Sequence, residues 1–429
     1  MKSALVVGSG AGGAAVAREL SGSFDVTILE EGRSFHPLSL SMAAMERMKA
    51  TGLLLDERMT GAVFPPMRIR RSSNGLALVN GRCVGGSTAI SAGNGLRMDR
   101  DLREMGIDLD REFEQLARDV PVSTDHQHAW RPDTRELFGI CRGMGLAPSP
   151  LPKLIDFRKC RRCGRCILGC PTGAKWDARG FVRQAGEKGA RLMEGCRAES
   201  VRIEKKRAAG VWTAGRIGRK FLPADIVVLA AGGFGTPVIL QRSGIPCEER
   251  LFVDPVLCLA GRRGETGPAG EVSMPFAVQQ GRYILSPYFD YLSFLYNRSW
   301  KLPGSSLLSF MVKLADSSEG SCGPRGIRKA LTTRDRQTLC GAVEVCRKIL
   351  LAAGIHEDSL VLGTVNAGHP GGMLPLTPAD AESLHPPRLP ENLYVADASL
   401  LPRALGNPPI LTVMALATAV AKKIKEKAL

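Results

Sequence analysis

The sequence predicts an α/β fold with a parallel-sheet domain, an α+β second domain and a small cysteine-rich insert. Three observations predict it: a strand, glycine turn and helix pattern in the first thirty residues, an aromatic-rich stretch over residues 250–365, and four cysteines within residues 160–170. The 429 residues are enough for two domains with sizeable cores. An apolar content of 44% and a charged content of 23% are those of an ordinary globular protein.

The first thirty residues have the pattern of a dinucleotide-binding unit. An apolar run predicts a buried strand, GSGAGG follows it directly, and a helix-like segment comes next. In such a unit Gly8 permits the tight turn, Gly10 lets the backbone approach a pyrophosphate, and Gly13 brings helix and strand close together. Ala11 lies in the same turn, where a helix N-terminus supplies free N–H groups to phosphates. A second strand ends in Glu30, which we expect to accept a hydrogen bond from a ribose hydroxyl, so the pattern predicts a Rossmann-like domain for FAD or NAD.

Two segments after this unit are predicted to lie close to the cofactor. Residues 38–64 are rich in Met and Leu and are predicted to be helical, with a loop over the cofactor. Residues 80–97, NGRCVGGSTAISAGNGLR, carry glycines and small residues that predict backbone pressed against a flat or phosphorylated group. A glycine-rich loop without a ligand is the alternative for this second segment.

The second of these segments resembles a known family signature. GGSTAISAGNGLR, within residues 80–97, is similar to the first signature of the glucose–methanol–choline (GMC) flavoprotein oxidoreductases, in which this loop wraps the flavin. The family commonly has Asn where this chain has Ser91. The resemblance implies FAD as the cofactor, and it implies that the following residues contact it: Gly85, Gly86, Ser87 and Asn94.

Four cysteines lie within a short run in the order C-x2-C-x2-C-x3-C-P. Cys160, Cys163, Cys166 and Cys170 have the spacing of bacterial ferredoxins, which predicts a 4Fe–4S cluster. A zinc site is the structural alternative that paired C-x2-C units allow, and a segment without metal is the third. In two-cluster ferredoxins the last cysteine of such a run ligates the other cluster. Either Cys170 or a remote residue such as Cys196 therefore provides the fourth ligand here.

The residues around the cysteines give two further indications. GAK at residues 173–175 resembles GMC members of the sterol-oxidase and long-chain-alcohol-oxidase type, which carry a cysteine-rich segment ending in GAK at this place in the chain. Arg161, Arg162 and Arg165 stand between the cysteines. They either compensate the charge of a cluster or form a basic docking face for an acidic electron carrier such as ferredoxin.

Two later segments extend the resemblance to the GMC family. ADIVVLAAGGFGTPVILQRSGI, residues 224–245, closely resembles the second GMC signature, with Ala231 in a turn beside the dinucleotide. NLYVADASLLPRALGNPPILTVMALATAVAKKI, residues 392–424, is similar to the closing pattern of the family. The resemblance implies that Asp397 contacts the phosphate–ribityl part of FAD. It also implies that the helix beginning near Pro408 points its N-terminus at the isoalloxazine ring.

The same resemblance supplies a candidate catalytic pair. GHPGGM, residues 368–373, resembles the family's His-Pro-x-Gly-Thr, with Met373 where Thr is usual. His369 and Asn407 match the catalytic residues of the family. Oxidation of an alcohol requires removal of the hydroxyl proton as hydride leaves the carbon, and a histidine with a near-neutral pKa can take that proton. Asn407 would hold the oxygen by a hydrogen bond, and flavin N5 would receive the hydride.

These matches predict an FAD-binding domain built from discontinuous segments. The predicted divisions are an FAD-binding domain of residues 1–98, 181–258 and 369–429, a substrate or cap segment of residues 99–150, an iron–sulfur segment of residues 151–180, and an α+β substrate domain of residues 259–368. Residues 198–230 alternate in polarity and are predicted to be strands that return to the sheet of the first domain.

The charge and composition restrict the partners of the protein. The formal net charge of +16 fits acidic partners, with nucleic acid as one candidate. However, aromatic residues make up only 5% and no basic run is interleaved with them, so nucleic-acid binding is not predicted. No run approaches the ~18–20 apolar residues of a membrane span, and the first strand leads directly into the glycine turn. Neither a transmembrane segment nor a signal peptide is therefore predicted, and a cytoplasmic location is expected.

Together these features predict an FAD-dependent dehydrogenase that oxidises a CH–OH group to a carbonyl. A 4Fe–4S cluster passes one electron at a time, so a cluster beside the flavin predicts electron export to a protein carrier such as ferredoxin. The predicted substrate is a small-molecule alcohol or carbonyl compound, and the aromatic-rich stretch favours an apolar one. Two alternatives remain open: a ferredoxin-driven reductase of a carbonyl or activated alkene, and a non-catalytic flavin and iron–sulfur electron-transfer subunit.

Overall fold

The computed structural model of this protein describes residues 1–38, 41–52, 63–215, 218–264, 268–297, 299–301 and 303–428. The helices in these ranges are α1 (Ala11–Leu20), α2 (Met42–Ala50), α3 (Arg100–Glu104), α4 (Asp110–Asp119), α5 (Pro132–Gly143), α6 (Arg179–Glu187), α7 (Gly232–Arg242), α8 (Tyr291–Tyr296), α9 (Thr333–Ala352) and α10 (Ile410–Ala428). Within the same ranges, no helix combines the length and apolar character needed to cross a membrane.

The strands range from two to nine residues and form two large sheets and several small ones. They are β1 (Ser3–Val7), β2 (Asp25–Glu30), β3 (Met67–Arg71), β4 (Ala77–Gly81), β5 (Val122–Ser123), β6 (Pro148–Pro150), β7 (Lys153–Leu154), β8 (Arg191–Glu194), β9 (Arg197–Glu204), β10 (Arg207–Gly215), β11 (Gly218–Pro223), β12 (Ile226–Leu229), β13 (Pro255–Arg262), β14 (Phe276–Gln280), β15 (Tyr283–Pro287), β16 (Leu307–Leu314), β17 (Ser321–Gly323), β18 (Gly326–Arg328), β19 (Val361–Leu362), β20 (Asn366–Ala367) and β21 (Leu393–Val395).

The first large sheet is parallel throughout. As far as the chain is described, it has five strands in the order β21-β12-β1-β2-β8. Its central strands are buried runs of aliphatic residues, and strands β9 and β10 pack against β2 and β12 in the same apolar core. Helices α1 and α10 share one apolar core with these strands. The sheet joins segments from both ends and the middle of the chain, which confirms the predicted α/β fold.

The second large sheet is mostly antiparallel. Over the described residues it joins nine strands along the order β3-β4-β20-β13-β16-β15-β14-β6, with β19 paired to β13. Helix α9 packs on it, and Phe276 and Phe310 lie buried in the core between them. Many of the aromatic residues noted in the sequence are therefore core residues. Tyr288 is different, because it lines the large cavity described below.

Two sequence predictions about local structure differ from what the structure has. Of the strands predicted at residues 198–230, β12 joins the parallel sheet as predicted, whereas β9, β10 and β11 form their own antiparallel sheet. Their alternating polar residues leave one face exposed, which an antiparallel sheet tolerates and a parallel sheet between helices does not. Of the segment predicted to be helical at residues 38–64, α2 is helix, while residues 39–40 and 53–62 lie outside the described residues.

Gly13→Ala is expected to destabilise the contact between α1 and the preceding turn. A Cβ atom at Gly13 would lie 1.9 Å from the carbonyl oxygen of Gly8, which belongs to the backbone and cannot move aside alone. We expect a loss of about 3 kcal/mol of unfolding free energy, measured by urea denaturation. The matched control is Gly139→Ala in α5, where no atom lies within 4 Å of the new Cβ and helix propensity should add up to ~1 kcal/mol. Equal stabilities of the two variants would contradict this account.

Candidate functional site

A cavity of about 650 Å³ lies at the carboxyl ends of β1, β2 and β12, facing the second sheet. In parallel α/β sheets, ligands bind at this end of the strands. Most residues predicted to contact a cofactor line it: Gly8, Gly10, Ala11, Glu30, Gly86, Ser87, Asn94, Ala231, Asp397 and Pro408. Gly13 and Gly85 are described by the structure but lie behind the lining residues. The cavity therefore brings together the sequence segments that the family resemblance connected.

The glycine turn has the close contacts that its sequence predicts. Gly8 has a φ of +103°, and a Cβ there would lie 2.2 Å from the carbonyl oxygen of Ala230. Gly10 is the N-cap of α1, and no side chain caps that helix end. A Cβ at Gly86 would lie 2.9 Å from the Cα of Gly10, so the two glycine loops face each other across the cavity wall. The uncapped N–H groups of α1 are thus available to an anion.

Glu30 lies at the cavity, but its carboxylate already has protein partners. Oε2 accepts hydrogen bonds from the Ser9 hydroxyl at 2.6 Å and the Ser9 amide at 3.1 Å, and Oε1 accepts one from the Gly32 amide at 2.7 Å. Burial raises the pKa of Glu30, and these hydrogen bonds partly offset the rise. A carboxylate has about four acceptor positions, so a further bond from a ribose hydroxyl remains compatible with this arrangement. The ribose contact stays a prediction.

Two buried lysines donate hydrogen bonds to the second glycine loop, the glycine-rich segment within residues 80–97. The Lys175 ammonium donates to the carbonyl oxygens of Thr88 at 2.8 Å, Ala89 at 2.9 Å and Ser91 at 3.1 Å. Lys153 donates to Oδ1 of Asn94, and burial lowers the pKa of Lys153 to about 7. Both are almost fully buried. The GAK motif pointed to Lys175, whereas the sequence analysis missed Lys153, whose charge inside a short buried strand was the available signal.

The turn around Asp397 is fixed by hydrogen bonds to the beginning of α7. Its Oδ2 accepts from the Gly232 amide at 2.8 Å and from the Thr236 hydroxyl at 2.5 Å, and its Oδ1 accepts from the Ser399 amide at 2.8 Å. Burial raises the pKa of Asp397. Pro408 and Ile410, at the beginning of α10, line the cavity close by. Asp397 and Pro408 therefore line the same cavity as the glycine turn, and their contacts with a cofactor stay a prediction.

The lining of this cavity fits an adenine dinucleotide. It offers an uncapped helix N-terminus for a pyrophosphate, an acidic residue at the end of β2, and glycines where a side chain would narrow the space. At Gly10 the nearest atom to a hypothetical Cβ is 3.9 Å away, so any side chain there would project into the gap between the two loops. The described residues are thus compatible with the FAD that the resemblance implies.

His369 lines the cavity and faces a buried charged pair. Its backbone amide donates to the carbonyl oxygen of Val253 at 3.2 Å, and its Nδ1 lies 3.6 Å from Oδ2 of Asp254. Asp254 in turn accepts a hydrogen bond of 2.6 Å from the ammonium of Lys313. Burial lowers the pKa of His369, and the charge of Lys313 lowers it further while Asp254 opposes both effects. The imidazole is therefore neutral near pH 7 and able to accept a proton.

Asn407, the other predicted catalytic residue, has a different environment. It is buried, its Oδ1 accepts from Nε2 of Gln279 at 3.0 Å, and its Nδ2 donates to Oε1 of Gln279 at 3.2 Å. It is described by the structure but does not line the cavity. The sequence analysis missed Asp254 and Lys313, both of which do line it. A lysine within the apolar strand LLSFMVKL was the one signal that could have indicated a buried charge.

The four predicted cluster ligands line one small separate cavity. Cys160, Cys163, Cys166 and Cys170 surround it together with Lys175. Backbone amides point at two of the sulfurs, from Arg162 to Cys160 and from Lys175 to Cys170, each at 3.4 Å. Gly164 and Gly169, with φ of +67° and +82°, let the chain turn between the cysteines.

The metal site itself is not confirmed. In the described part of the chain, no group of three or more His, Cys, Asp or Glu side chains stands ready to hold a metal ion. Cys196, the remote alternative for a fourth ligand, lines the large cavity instead of the small one. Arg161 and Arg162 are exposed near the cysteines, and Arg165 is partly buried. The four predicted cysteines therefore line one cavity, and the group that they bind stays a prediction.

Comparison with known proteins identifies the family. A family model described as GMC oxidoreductase matches residues 3–257. An uncharacterized GMC-type oxidoreductase of Mycobacterium tuberculosis is 28% identical over 99% of this chain and 76% of its own length. A long-chain-alcohol oxidase of Arabidopsis thaliana is 28% identical over 56% of this chain and 34% of its own length. The crystal structure of pyridoxine 4-oxidase from Mesorbium loti shares the fold, with a TM-score of 0.73 and 19% identity over 99% of each chain.

The chain therefore belongs to the GMC oxidoreductase family, whose members typically bind FAD. It is an oxidoreductase of the flavoprotein type, with the mixed α/β fold of that family.

Proposed function

We propose that this protein is an FAD-dependent oxidoreductase that converts a CH–OH group to a carbonyl. The observation that carries the proposal is the position of His369, a neutral base at the wall of the same cavity as both glycine loops. A base in this position can remove the hydroxyl proton of an alcohol, and FAD, when bound, accepts the hydride. The similarity to a long-chain-alcohol oxidase supports an alcohol as the substrate class.

Different residues of the chain would bind the cofactor and contact the substrate. The N-terminus of α1 and the backbone at Gly10 would hold the pyrophosphate, and the loop around Asn94 would lie against the flavin. Met67, Tyr288 and Leu292 form part of an apolar wall of the cavity. Such a wall supports an alcohol with an apolar body and excludes water from the reacting carbon. Asn407 enters this scheme only if its amide leaves Gln279.

We also propose that the cysteine cavity holds a 4Fe–4S cluster. Four thiols line it in ferredoxin spacing, amide N–H groups point at two sulfurs, and the Lys153 and Lys175 ammoniums lie close enough to offset the negative charge of thiolates. A zinc ion needs four sulfurs about 2.3 Å from one atom, whereas a cubane spreads its ligands over four irons. The C-x2-C-x2-C-x3-C-P order of these thiols is the spacing of bacterial ferredoxins, which favours the cubane.

The cysteine cavity adjoins the large cavity, which supports electron transfer between them. Ile167, the residue after Cys166, lines the large cavity. Lys175 lines the cysteine cavity and donates to the carbonyls of the second glycine loop. Electrons would therefore leave through the cluster to an acidic carrier such as ferredoxin, docked near Arg161, Arg162 and Arg165. On this proposal the enzyme is a dehydrogenase, and direct use of oxygen is the oxidase alternative.

Protein purified without oxygen tests the cofactor content. We expect about one FAD and about four irons and four sulfides per chain, with an EPR signal after reduction by dithionite. Cys163→Ser should lose iron and keep FAD. Cys340→Ser, at an exposed position of α9, is the matched control and should keep both. Zinc or no metal in the wild-type protein would refute the cluster, and a protein without FAD would refute the flavoenzyme.

The reaction is tested on the same preparation with a panel of primary and secondary alcohols of increasing apolar length. Anaerobic bleaching of the flavin absorbance by an alcohol supports the proposed chemistry. Faster turnover with ferredoxin than with oxygen supports a dehydrogenase, whereas stoichiometric peroxide release identifies an oxidase. If reduced ferredoxin instead drives carbonyl reduction and no alcohol bleaches the flavin, the reverse direction is the physiological one.

A further inference from the structure

The buried carboxylate of Asp254 joins several segments at the wall of the large cavity. Its Oδ1 accepts a hydrogen bond from the Gly406 amide at 3.1 Å, and its Oδ2 accepts the Lys313 ammonium at 2.6 Å. Gly406 directly precedes the Asn-Pro turn that leads into α10, and Lys313 belongs to β16. One carboxylate therefore fixes the position of two segments of the proposed active site relative to β13.

The backbone at Asp254 has an uncommon, left-handed conformation. Its φ is +51°, in the left-handed region that few residues other than glycine adopt, although Asp tolerates it better than most. Hydrogen bonds stabilise this conformation, because Oδ1 of Asp316 accepts from the amides of Val253 at 3.1 Å and Asp254 at 2.8 Å. Such backbone conformations persist where surrounding interactions impose them, frequently at functional sites.

The position of this carboxylate relative to His369 suggests what the role is. Oδ2 of Asp254 lies 3.6 Å from Nδ1 of His369, just outside hydrogen-bond distance. Among the described residues, Nδ1 has no hydrogen-bond partner although it is buried. The side chain as a whole is 31% exposed and lines the cavity, as do Asp254 and Lys313. A small rotation of the ring would give Nδ1–H an acceptor and leave Nε2 unprotonated.

The charges around the imidazole suit a base that must hold a proton only briefly. The charged groups that face His369 in the described structure are Asp254 and Lys313. The second buried pair, Asp316 and Lys329, lies behind Asp254. Lys313 keeps Asp254 ionised and disfavours protonation of the imidazole before the substrate arrives. When the proton is transferred, the carboxylate stabilises the imidazolium through Nδ1–H.

We propose that Asp254, held in place by Lys313, is a positioning residue that accepts the Nδ1–H of His369 and so presents the lone pair of Nε2 to the substrate hydroxyl. This inference rests on the proposed function, because it assigns the partner of the base in that reaction. It adds two residues, Asp254 and Lys313, to the His–Asn pair that the family resemblance implied. The proton moves from the hydroxyl to Nε2, while Nδ1 keeps its own proton throughout.

The test measures the tautomer and the pKa of His369 directly in the holoenzyme, with 15N-labelled histidine and NMR. The chain has six histidines, and His369→Gln identifies the signal. We expect the Nδ1–H tautomer in the wild-type protein. Asp254→Asn should lower the pKa of His369 by about one unit and weaken the tautomer preference, because a carboxylate becomes a neutral amide. Lys313→Met should raise it by a similar amount, because a nearby positive charge is lost.

A further variant, Lys313→Arg, separates positioning from a structural role. Lys313→Arg keeps the positive charge and should keep the pKa of His369 near the wild-type value, a rescue that a simple packing role does not predict. Lys313→Met and Lys313→Arg also leave the left-handed residue untouched, so they remain informative if Asp254→Asn does not fold. In flavin reduction, Asp254→Asn should lower the limiting rate at least tenfold with little change in the alcohol concentration at half-saturation.

The outcomes distinguish this inference from the proposed function. An Nε2–H tautomer in the wild-type protein, or a pKa of His369 that is the same in all Asp254 and Lys313 variants, would overturn the inference whatever the alcohol assay gives. A wild-type protein whose flavin no alcohol reduces would refute the proposed function, even if the pKa shifts occur as expected. Opposite shifts in Asp254→Asn and Lys313→Met, together with reduction of the flavin by an alcohol, support both.

Discussion

His369→Gln is expected to slow reduction of the bound flavin by an alcohol by about 10²- to 10⁴-fold, with the FAD content unchanged. Gln has nearly the size of His and can make a hydrogen bond, but it cannot accept a proton near pH 7. The variant therefore removes the base and keeps the shape of the cavity wall that His369 lines. Rapid mixing under anaerobic conditions, followed at the flavin absorbance, measures the effect without a contribution from the electron acceptor.

The pH dependence of flavin reduction tests the same prediction independently. The pKa of His369 lies below its ordinary value of 6.5 because burial and the charge of Lys313 disfavour the imidazolium. The neutral imidazole therefore predominates at pH 7, and the rate should fall in acid, as the pH drops through this lowered pKa. In His369→Gln that limb should disappear. His356→Gln, at an exposed position, is the matched control and should keep both the rate and its pH profile. A His369→Gln enzyme with more than a tenth of the wild-type rate would remove His369 from the mechanism.

The parts of the site that could be predicted from the sequence are those that short contiguous segments encode. Gly8, Gly10 and Gly13 occur within six residues, and the close backbone contacts of Gly8 and Gly13 are to Ala230 at the end of β12 and to the turn itself. The ferredoxin spacing is equally local, and the structure has its four cysteines around one small cavity. Local patterns of this kind fix the backbone geometry, and the geometry then limits which side chains can be present.

The parts that could not be predicted depend on pairs of residues far apart in the chain. Lys313 and Asp254 meet across 59 positions, and Lys153 and Asn94 likewise across 59. No spacing rule connects such pairs. Lys313 meets Asp254 because β16 pairs with β13, and Lys153 meets Asn94 through an isolated bridge outside the two large sheets. The resemblance matched Asn407 and His369 to the catalytic pair of the family, and that pairing stays a prediction. It could not indicate that Gln279, on β14, engages the Asn407 amide in this chain.

Lys175 gives the cysteine segment a structural role in addition to its proposed redox role. Lys175 follows the cysteines closely, and its ammonium donates to three backbone carbonyls of the loop. A buried ammonium with three carbonyl acceptors is costly to displace, since water would have to replace all three. The cysteine segment therefore fixes the loop that is expected to contact the flavin, whether or not a cluster is bound.

Lys329→Met is expected to reduce the unfolding free energy by about 3–5 kcal/mol, which is a large part of the stability of a typical domain. Lys329 and Asp316 are both fully buried, with 2.7 Å between Nζ and Oδ2. The ammonium also donates to the carbonyls of Leu251 at 2.9 Å, Ser317 at 2.7 Å and Glu319 at 2.8 Å. Its loss leaves a carboxylate and three carbonyl groups without that partner in the core. Met fills a similar volume, so the effect comes from the polar groups and not from a cavity.

Urea denaturation of Lys329→Met, Lys329→Met/Asp316→Asn and Lys348→Met separates the causes of this loss. Burial raises the pKa of Asp316, and Lys329 opposes that rise. In Lys329→Met the pKa of Asp316 should therefore rise further, which favours the protonated carboxyl. The added Asp316→Asn removes that charge while its amide oxygen can still accept the Val253 and Asp254 amides, so the double variant should be more stable than Lys329→Met alone. Lys348 is exposed on α9, and its replacement should change stability by less than about 0.5 kcal/mol. Because Asp316 supports the left-handed turn at Asp254, the single variant should also weaken the coupling between Asp254 and His369. A Lys329→Met protein as stable as Lys348→Met would show that the buried pair does not hold this turn.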